Sequence, residues 1–449
     1  MGLRVAVVGS GPAGFYAAGQ LLSADPPFEV DLFERLPTPW GLVRLGVAPD
    51  HPNIKVVSRV FEKIAARPGF RFFGNVEVGR HVAHDELAAL YDAVIYAFGA
   101  EADRRMGIPG EDLPGSWPAT AFVAWYNGHP DYQALDFDLS CERAVVVGNG
   151  NVAIDVARML ALTEPELATT DATDRAIEAI VGSGIREILV LGRRGPVQAA
   201  FTNPELVELT ELAGADLLVD PADLELDPAS ERACEGDAMA ERNLAVLRDV
   251  AAEARTRKRR SIRLRFLTSP VAILGHDRVE AVEVARNRLE ETPEGRLVAV
   301  SSAERETIPC GIVLRSVGYT GTPLPGLPFD EARGVIPNAG GRVLGTDGRP
   351  LPGVYCAGWI KRGPTGVIGT NKKDAAETTG LVLADAAAGT LGPRSQRDVT
   401  ELLASRGARI VDYRGWEAID EAERARGEPQ SRPRVKLCSW DELLETAST

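Results

Sequence analysis

Apolar residues fall into short unbroken runs, each followed by a segment with helical spacing. The first run is RVAVV, residues 4–8, almost all Val and Ala. That pattern is expected of a parallel strand buried on both faces. FYAAGQLLS (15–23) then spaces its apolar residues as a helix does, and EVDLFE (29–34) reads as a second strand. The succession recurs with RAVVV (143–147), a helix over Ile154–Leu162, and EILVLGRRG (187–195) as the next core strand. VIYAFGAEADRR (94–105) and IVLRSVGYTG (312–321) each read as a strand running into a turn. GVYCAGWIKRGPTG (353–366) reads as a strand entering a glycine-rich loop, with a helix beginning past Lys372. Strands that alternate with helices predict an α/β fold with parallel sheets. From 393 to 449 the chain is polar, with short helical patterns and a closing segment, RPRVKLCS, at 432–439.

Composition narrows the class. A chain of 449 residues with 45% hydrophobic and 25% charged residues has the make-up of a soluble globular protein of two or three domains. No window approaches the ~18 continuous apolar residues of a membrane span. The first strand begins so early that a leader peptide is not expected, and a cytoplasmic location is. The five cysteines are far apart and form no CxxC, which argues against a local zinc clamp or a dithiol redox motif. The net charge of −14 makes nucleic acid an improbable main partner. Two local basic stretches remain. RTRKRRSIRLR (255–265) reads as a solvated surface face, and KRGPTGVIGTNKK (361–373) as a ligand-facing loop. No metal-ligating or Ser-His-Asp constellation is apparent.

Two glycine loops carry the chemistry. Gly9-Ser10-Gly11-Pro12-Ala13-Gly14 directly follows the first strand and opens a helix, the context in which GxGxxG is credible. Gly9 allows the tight turn, Gly11 lets backbone approach a pyrophosphate, and Gly14 lets helix and strand pack closely. The helix N-terminus offers free N–H groups and partial positive charge to phosphate. Glu34, 25 residues after Gly9, ends the second strand, where a carboxylate can accept hydrogen bonds from a ribose diol. In the second loop, Gly148-Asn149-Gly150-Asn151-Val152-Ala153, alanine replaces the third glycine, a variant within the fingerprint. The strand after it ends in Arg193 and Arg194 rather than an acid. Two guanidiniums suit a 2′-phosphate, so this loop reads as an NADP(H) site. The arginines lie 45 residues after Gly148, against a usual distance of about 20, which implies an insertion between Thr163 and Gly184. Two loops imply two dinucleotides bound together: FAD held permanently at the first, NADPH visiting the second. Hydride transfer from the nicotinamide to FAD N5 requires the reacting atoms at about 3–3.5 Å.

PTPWGLVRLGVAPDHP (37–52), RFFGNVEVG (71–79), the GNGNVAID run, LGRRGPVQAAFT (191–202) and GWIKRGPTGVIGTNKKDA (358–375) together resemble the adrenodoxin-reductase-type ferredoxin–NADP(+) reductases, over almost the whole chain. The resemblance implies two Rossmann-like domains of the glutathione-reductase type, the NADP domain inserted in the FAD domain. Boundaries are expected at 1–103 (FAD, first part), 104–317 (NADP) and 318–449 (FAD, second part, with a helical tail). Two sequential domains split near residue 135 are the alternative, and would leave the 363–369 glycine loop without a role.

Carried over by position, Ala13, Glu34, Leu42 and Val78 would line FAD, and Trp359 with Gly366, Val367 and Ile368 would hold its flavin end. Arg104, Asn149, Gly150, Asn151, Val152, Arg193, Arg194, Glu205 and Gly366 would contact NADP(H). His51, in a stiff Pro-Asp-His-Pro loop, would lie close to the flavin with Asp155 and Glu208 as acidic neighbours, His51 and Glu208 tuning the nicotinamide pose through hydrogen bonds. Lys361, Arg362, Lys372 and Lys373 are candidates to meet an acidic ferredoxin-type iron–sulfur protein, since complementary charge steers such encounters. The implied activity is hydride transfer from NADPH to FAD followed by release of single electrons to a ferredoxin, reversibly. An FAD/NADPH-dependent monooxygenase, the reductase subunit of a larger complex, and a flavin-holding module without catalysis are the alternatives.

Overall fold

The computed structural model describes residues 2–253, 256–392, 395 and 397–448. Strand β1 (Arg4–Val8) leads into helix α1 (Pro12–Leu21), and β2 (Glu29–Phe33), β3 (Phe70–Phe73) and β4 (Ala93–Tyr96) follow. The chain then leaves through β5 (Ala102–Asp103). Next come β6 (Ser116–Pro118), β7 (Arg143–Val147), α2 (Asn151–Ala161), β8 (Glu187–Leu191), α3 (Asn203–Glu211), β9 (Ala215–Val219) and β10 (Arg260–Arg265). A ribbon of β11 (Thr268–Leu274), β12 (Ala281–Glu291) and β13 (Leu297–Pro309) precedes β14 (Ile312–Arg315). The return runs through β15 (Tyr319–Thr320), β16 (Asn338–Ala339), β17 (Arg342–Leu344) and β18 (Pro350–Cys356) to helix α4 (Ile368–Ala388) and tail helix α5 (Tyr413–Gly427).

Pairing divides these strands into two lobes. One sheet has the order β16-β17-β18-β4-β1-β2-β3, parallel from β18 to β3. The other, β6-β14-β7-β8-β10-β9, is parallel throughout. Chain from both ends builds the first sheet and the middle builds the second, so one Rossmann-like unit is inserted in the other. The two connections pair with each other, Tyr319 opposite Asp103 and Thr320 opposite Ala102, which makes a two-stranded neck. The central strands β1 and β7 are almost fully buried, as their unbroken Val/Ala runs require.

The tail is a strap. Trp416 of α5 packs edge-on against Trp40 with centroids 4.8 Å apart. Arg432 reaches into the second lobe, where Nε donates to the Thr170 carbonyl at 2.9 Å. Lys436 is fully buried between the lobes and donates to the Arg44 carbonyl and to Asn127 Oδ1, both at 3.3 Å. RPRVKLCS therefore closes the molecule by tying the lobes together. Among the described residues no helix is long and apolar enough to cross a membrane.

Two readings need correction. The basic stretch 255–265, whose Arg255 lies outside the described residues, is not wholly a solvated face. Its second half, 260–265, becomes β10, alternating buried Ile262 and Leu264 with half-buried Ser261, Arg263 and Arg265, and Arg260 at its start is buried. That guanidinium donates to the carbonyls of Leu160, Leu162, Ile180 and Ile185 and to Ser183 Oγ. Several of these are helix C-terminal carbonyls, which favour a cation. The helix expected past Lys372 starts four residues earlier, at Ile368, because Gly366 takes φ +80° and Val367 serves as its extended N-cap.

Candidate functional site

The glycines of the first loop differ in what they touch. A Cβ on Gly9, whose φ is +106°, would lie 2.6 Å from the Ala97 carbonyl oxygen, and one on Gly14 would lie 2.0 Å from the Gly9 oxygen. These two positions are closed by the protein's own backbone. A Cβ on Gly11 would meet nothing within 4 Å. Among the described residues its lack of a side chain serves no packing, and it leaves open space beside the start of α1. Helix α1 has no side-chain cap, so its first N–H groups are free of one. Glu34 stands just past β2, with Oε2 accepting from Ser10 N at 3.1 Å and Ser10 Oγ at 2.6 Å, and Oε1 accepting from Leu36 N at 3.1 Å. Three contacts leave a carboxylate further acceptor capacity for a ribose hydroxyl.

The second half of this lobe completes the cradle. Gly358 (φ +76°) brings the AGW turn onto α1, since a Cβ there would lie 2.7 Å from that of buried Ala13. Helix α4 lies beside α1, joined by a Thr379–Gln20 side-chain hydrogen bond. Both helices point their N-termini to the carboxyl edge of the sheet, as an anionic pyrophosphate requires. Leu42 is 44% exposed and Val367 64%, unusual for apolar side chains; Val78 and Ile368 are half-buried. Trp359 is half-buried, its ring 5.6 Å from that of Tyr319 at 39°. These features fit a flavin dinucleotide: an uncrowded phosphate loop, a ribose-reading acid and exposed apolar surface around the expected ring.

The second loop repeats the device. Gly148 has φ +118° and a Cβ there would lie 2.1 Å from the Ser316 oxygen, while one on Gly150 would approach nothing closer than 4.0 Å, the Ala200 Cβ. Ala153 is fully buried, so alanine is accommodated at the third position. Asn149 lies against Gly192, Asn151 Oδ1 accepts from Thr202 N at 2.9 Å, and Val152 is half-buried. The extra residues before the arginines form two short helices, Glu164–Leu167 and Asp174–Val181. The expected strand 187–195 ends at Leu191, which leaves Arg193 exposed and Arg194 half-buried in the loop beyond it. Among the described residues neither has a carboxylate partner, and Arg194 Nη2 donates to the Gln198 carbonyl at 3.3 Å. Partial burial and the adjacent Arg193 push the Arg194 pKa below its ordinary value. Two adjacent uncompensated guanidiniums form an anion site. Arg104 is exposed at the neck, where Nε donates to the Tyr319 carbonyl at 3.1 Å.

Between the lobes the structure gathers His51, Asp155, Glu205 and Glu208 around one residue that sequence reasoning missed. Arg158 is 2% exposed and spends its whole guanidinium on this cluster. It grips Asp50 with Nε at 2.7 Å and Nη2 at 3.0 Å. It reaches Asp155 at 2.8 Å, Glu205 at 3.1 Å and Glu208 at 3.0 Å. Its Nη2 also lies 3.4 Å from His51 Nδ1, and His51 Nε2 is 2.7 Å from Glu208 Oε2. An arginine only donates, so Nδ1 is the acceptor in that contact, which leaves Nε2 to donate toward Glu208. Asp50 and His51 follow β2; Asp155 and Arg158 belong to α2; Glu205 and Glu208 belong to α3. The carboxyl edges of both sheets therefore meet here. The i,i+3 pair Asp155–Arg158 on an apolar helix was a readable signal, since a buried arginine needs a partner.

Burial, reinforced by Glu205 and Asp50, pushes the Asp155 carboxyl up to about 6, with Arg158 opposing. Asp50, Asp155 and Glu208 hold Arg158 above its ordinary value despite burial. Ligand atoms of His51, Glu205 and Glu208 all lie within 4.8 Å of one another. Arg158 already bonds both glutamates and supplies the positive charge a metal would bring.

The candidates for meeting a protein partner divide. Lys361 is buried and paired with Glu377 at 2.7 Å and Asp374 at 3.1 Å, so it does not face a partner. Arg362 is half-buried and donates to Asn371 Oδ1 at 2.9 Å, with Nε and Nη1 enclosed. The short helix Trp359–Arg362 turns both inward, which loop spacing alone did not reveal. Lys372 and Lys373 on α4 are exposed.

Residues 3–190 match the family model described as pyridine nucleotide-disulphide oxidoreductase. The chain is 52% identical to the NADPH-ferredoxin reductase FprA of Mycobacterium tuberculosis over 98% of both chains. It is 41% identical to the mitochondrial NADPH:adrenodoxin oxidoreductase of Arabidopsis thaliana over 99% of this chain and 95% of that one. A solved structure of M. tuberculosis FprA in complex with NADPH superposes with a TM-score of 0.95 at 50% identity, covering all of both chains.

Proposed function

The chain belongs to the adrenodoxin-reductase-type ferredoxin–NADP(+) reductases, and from that premise we propose how its residues divide the work of passing electrons from NADPH through FAD to a ferredoxin. FAD, when bound, takes two electrons from a nicotinamide and hands them on one at a time. Everything else is positioning and electrostatics from the chain. The FAD domain comprises 1–103 and 318–449, and the inserted NADP domain 104–317. Gly9, Gly11, Ala13 and Gly14 with the N-termini of α1 and α4 hold the FAD pyrophosphate. Glu34 takes its ribose, Leu42 and Val78 line it, and Trp359 with Gly366, Val367 and Ile368 backs its ring. Asn149, Gly150, Asn151 and Val152 receive the NADPH pyrophosphate, Arg193 and Arg194 grip its 2′-phosphate, and Arg104 and Glu205 flank it.

The observation that carries this reading is the cluster joining the lobes. His51 from the FAD side and Glu208 from the NADP side lie in hydrogen-bond contact at the meeting of the two sheets' carboxyl edges. Ligands bind along those edges in open α/β sheets, so two dinucleotides in the two cradles converge on this cluster. His51, Glu208 and Asp155 orient the nicotinamide there, with Arg158 holding all three in place. The ferredoxin meets the exposed Lys372 and Lys373. The test is direct. The purified protein should be yellow, NADPH should bleach it under anaerobic conditions, and a ferredoxin should then be reduced in one-electron steps. Failure of NADPH to bleach bound flavin overturns the proposal. Oxygen uptake coupled to hydroxylation of an organic compound, without ferredoxin reduction, would favour a monooxygenase.

A further inference from the structure

The loop bearing Arg193 and Arg194 has neither a helix nor a strand to fix it, yet three successive carbonyls in it are captured from outside. Thr268 N donates to the Gly192 oxygen at 2.9 Å, and Leu267 N to the Arg194 oxygen at 3.0 Å. Between them, Asn287 Nδ2 donates to the Arg193 oxygen at 2.8 Å. The donors come from Leu267 in the turn between β10 and β11, from Thr268 at the start of β11, and from Asn287 in the middle of β12. Leu267 takes φ +51°, a left-handed conformation rare for a non-glycine residue, and its carbonyl accepts from Asn287 N at 2.7 Å. The turn and Asn287 therefore hold each other as well as the arginine loop.

Asn287 is built for this task. It is 5% exposed, in a three-stranded ribbon whose edge strand β13 is largely exposed. Its Nδ2 also lies 2.8 Å from Ser269 Oγ, and its Oδ1 accepts from Ser301 Oγ at 3.0 Å. A carbonyl only accepts, so the Arg193 contact fixes which end of the amide faces the loop. An irregularity in register between Ala285 and Asn287 lets β13 slip, so that Arg305 faces Ala285 while Ser301 faces Asn287. Such bulges re-aim side chains.

We propose that Asn287 is a positioning residue for coenzyme choice: it fixes the backbone from which Arg193 and Arg194 reach the 2′-phosphate, and so sets the preference for the phosphorylated nicotinamide without touching it. This rests on the reading of those arginines as the 2′-phosphate grip. Long side chains on a loose backbone lose rotamer and backbone freedom on binding, and a pre-held origin removes part of that cost.

The experiment uses the flavin-loaded enzyme and two probes, 2′,5′-ADP and 5′-AMP, which differ only in the 2′-phosphate. Their dissociation constants are read alongside KM and kcat for NADPH and NADH. Arg193→Ala with Arg194→Ala should weaken 2′,5′-ADP strongly and 5′-AMP little. Asn287→Ala should weaken 2′,5′-ADP about 10-fold, raise the NADPH KM in proportion, and leave 5′-AMP affinity, the NADH KM and both kcat values within about 2-fold. Ser301→Ala, an exposed change that frees the amide, should act in the same sense more weakly. If the arginine pair discriminates the probes and neither Asn287→Ala nor Ser301→Ala does, the positioning role is wrong and the grip stands. If the arginine pair weakens both probes equally, the grip is wrong and the proposal falls with it.

Discussion

Asp155 gives the sharpest test of the central cluster, because its cost has a sign and a size. One cation, Arg158, serves four carboxylates: Asp50, Asp155, Glu205 and Glu208. Burial and the neighbouring acids lift the Asp155 carboxyl from its ordinary 3.8 to about 6. A carboxyl held above its unfolded value binds its proton more tightly in the folded state. Folded stability therefore falls as pH rises from about 4 to about 6, and the full cost persists above that window. A difference of roughly two pH units corresponds to about 3 kcal/mol. Asp155→Asn removes the charge yet keeps an oxygen able to accept from Arg158, now 2.8 Å away. At pH 7.5 the variant should gain up to about 3 kcal/mol, and at pH 4 the gain should vanish. With ~2.1 cal/mol/K per residue, 449 residues unfold with an entropy on the order of 0.9 kcal/mol/K, so the gain corresponds to roughly 3 °C in Tm. Scanning calorimetry of the flavin-loaded protein at pH 4.5, 6 and 7.5 measures it. A lower Tm for the variant at pH 7.5, or the same shift at every pH, would refute the reasoning. Lost activity in a more stable variant would show that the charge is kept for the reaction, as strained sites often are.

Further outcomes follow from the same geometry. Gly11→Val meets no protein atom at its Cβ, so it should fold but purify without yellow colour; an absorption spectrum beside a melting curve separates these effects. Glu423→Gln should lower stability by about 3–5 kcal/mol, because the fully buried carboxylate bonds Arg44 at 2.5 and 2.9 Å, Arg434 at 3.1 Å and Leu437 N at 2.9 Å. Burial opposes its ionisation, but these partners more than offset that and hold its pKa below the ordinary value. Its contribution is therefore present at neutral pH and lost as pH falls through the acid range, a loss the Gln variant should not show in acid unfolding. Lys372→Glu with Lys373→Glu should raise the KM for a ferredoxin several-fold at low ionic strength, with the difference closing as salt is added and the NADPH KM unchanged; an effect insensitive to salt would remove these lysines from the docking face.

Much of this protein is local and was legible in the residues. Val/Ala runs fix buried parallel strands because only small or β-branched apolar side chains suit a sheet covered on both faces. The glycines of both loops follow from backbone geometry: Gly9, Gly14 and Gly148 have no room for a Cβ. Arg193 and Arg194 were readable as a like-charged pair beyond a strand end, and the structure sets them in the loop just past β8. What the sequence left open depends on partners distant in the chain. Lys361 and Arg362 were candidates to meet an acidic partner protein until a short helix turned them toward Asp374, Glu377 and Asn371. Arg260 read as solvated until the carbonyl ends of two helices closed over it. Arg158 gave one local signal, its i,i+3 partner Asp155; its other partners are Glu205 and Glu208, brought in by the folding of its own lobe, and Asp50 and His51, which only the docking of the other lobe makes neighbours. Backbone conformation and burial preference are written residue by residue; the field at a buried charge is a sum over space, and only the folded chain fixes its terms.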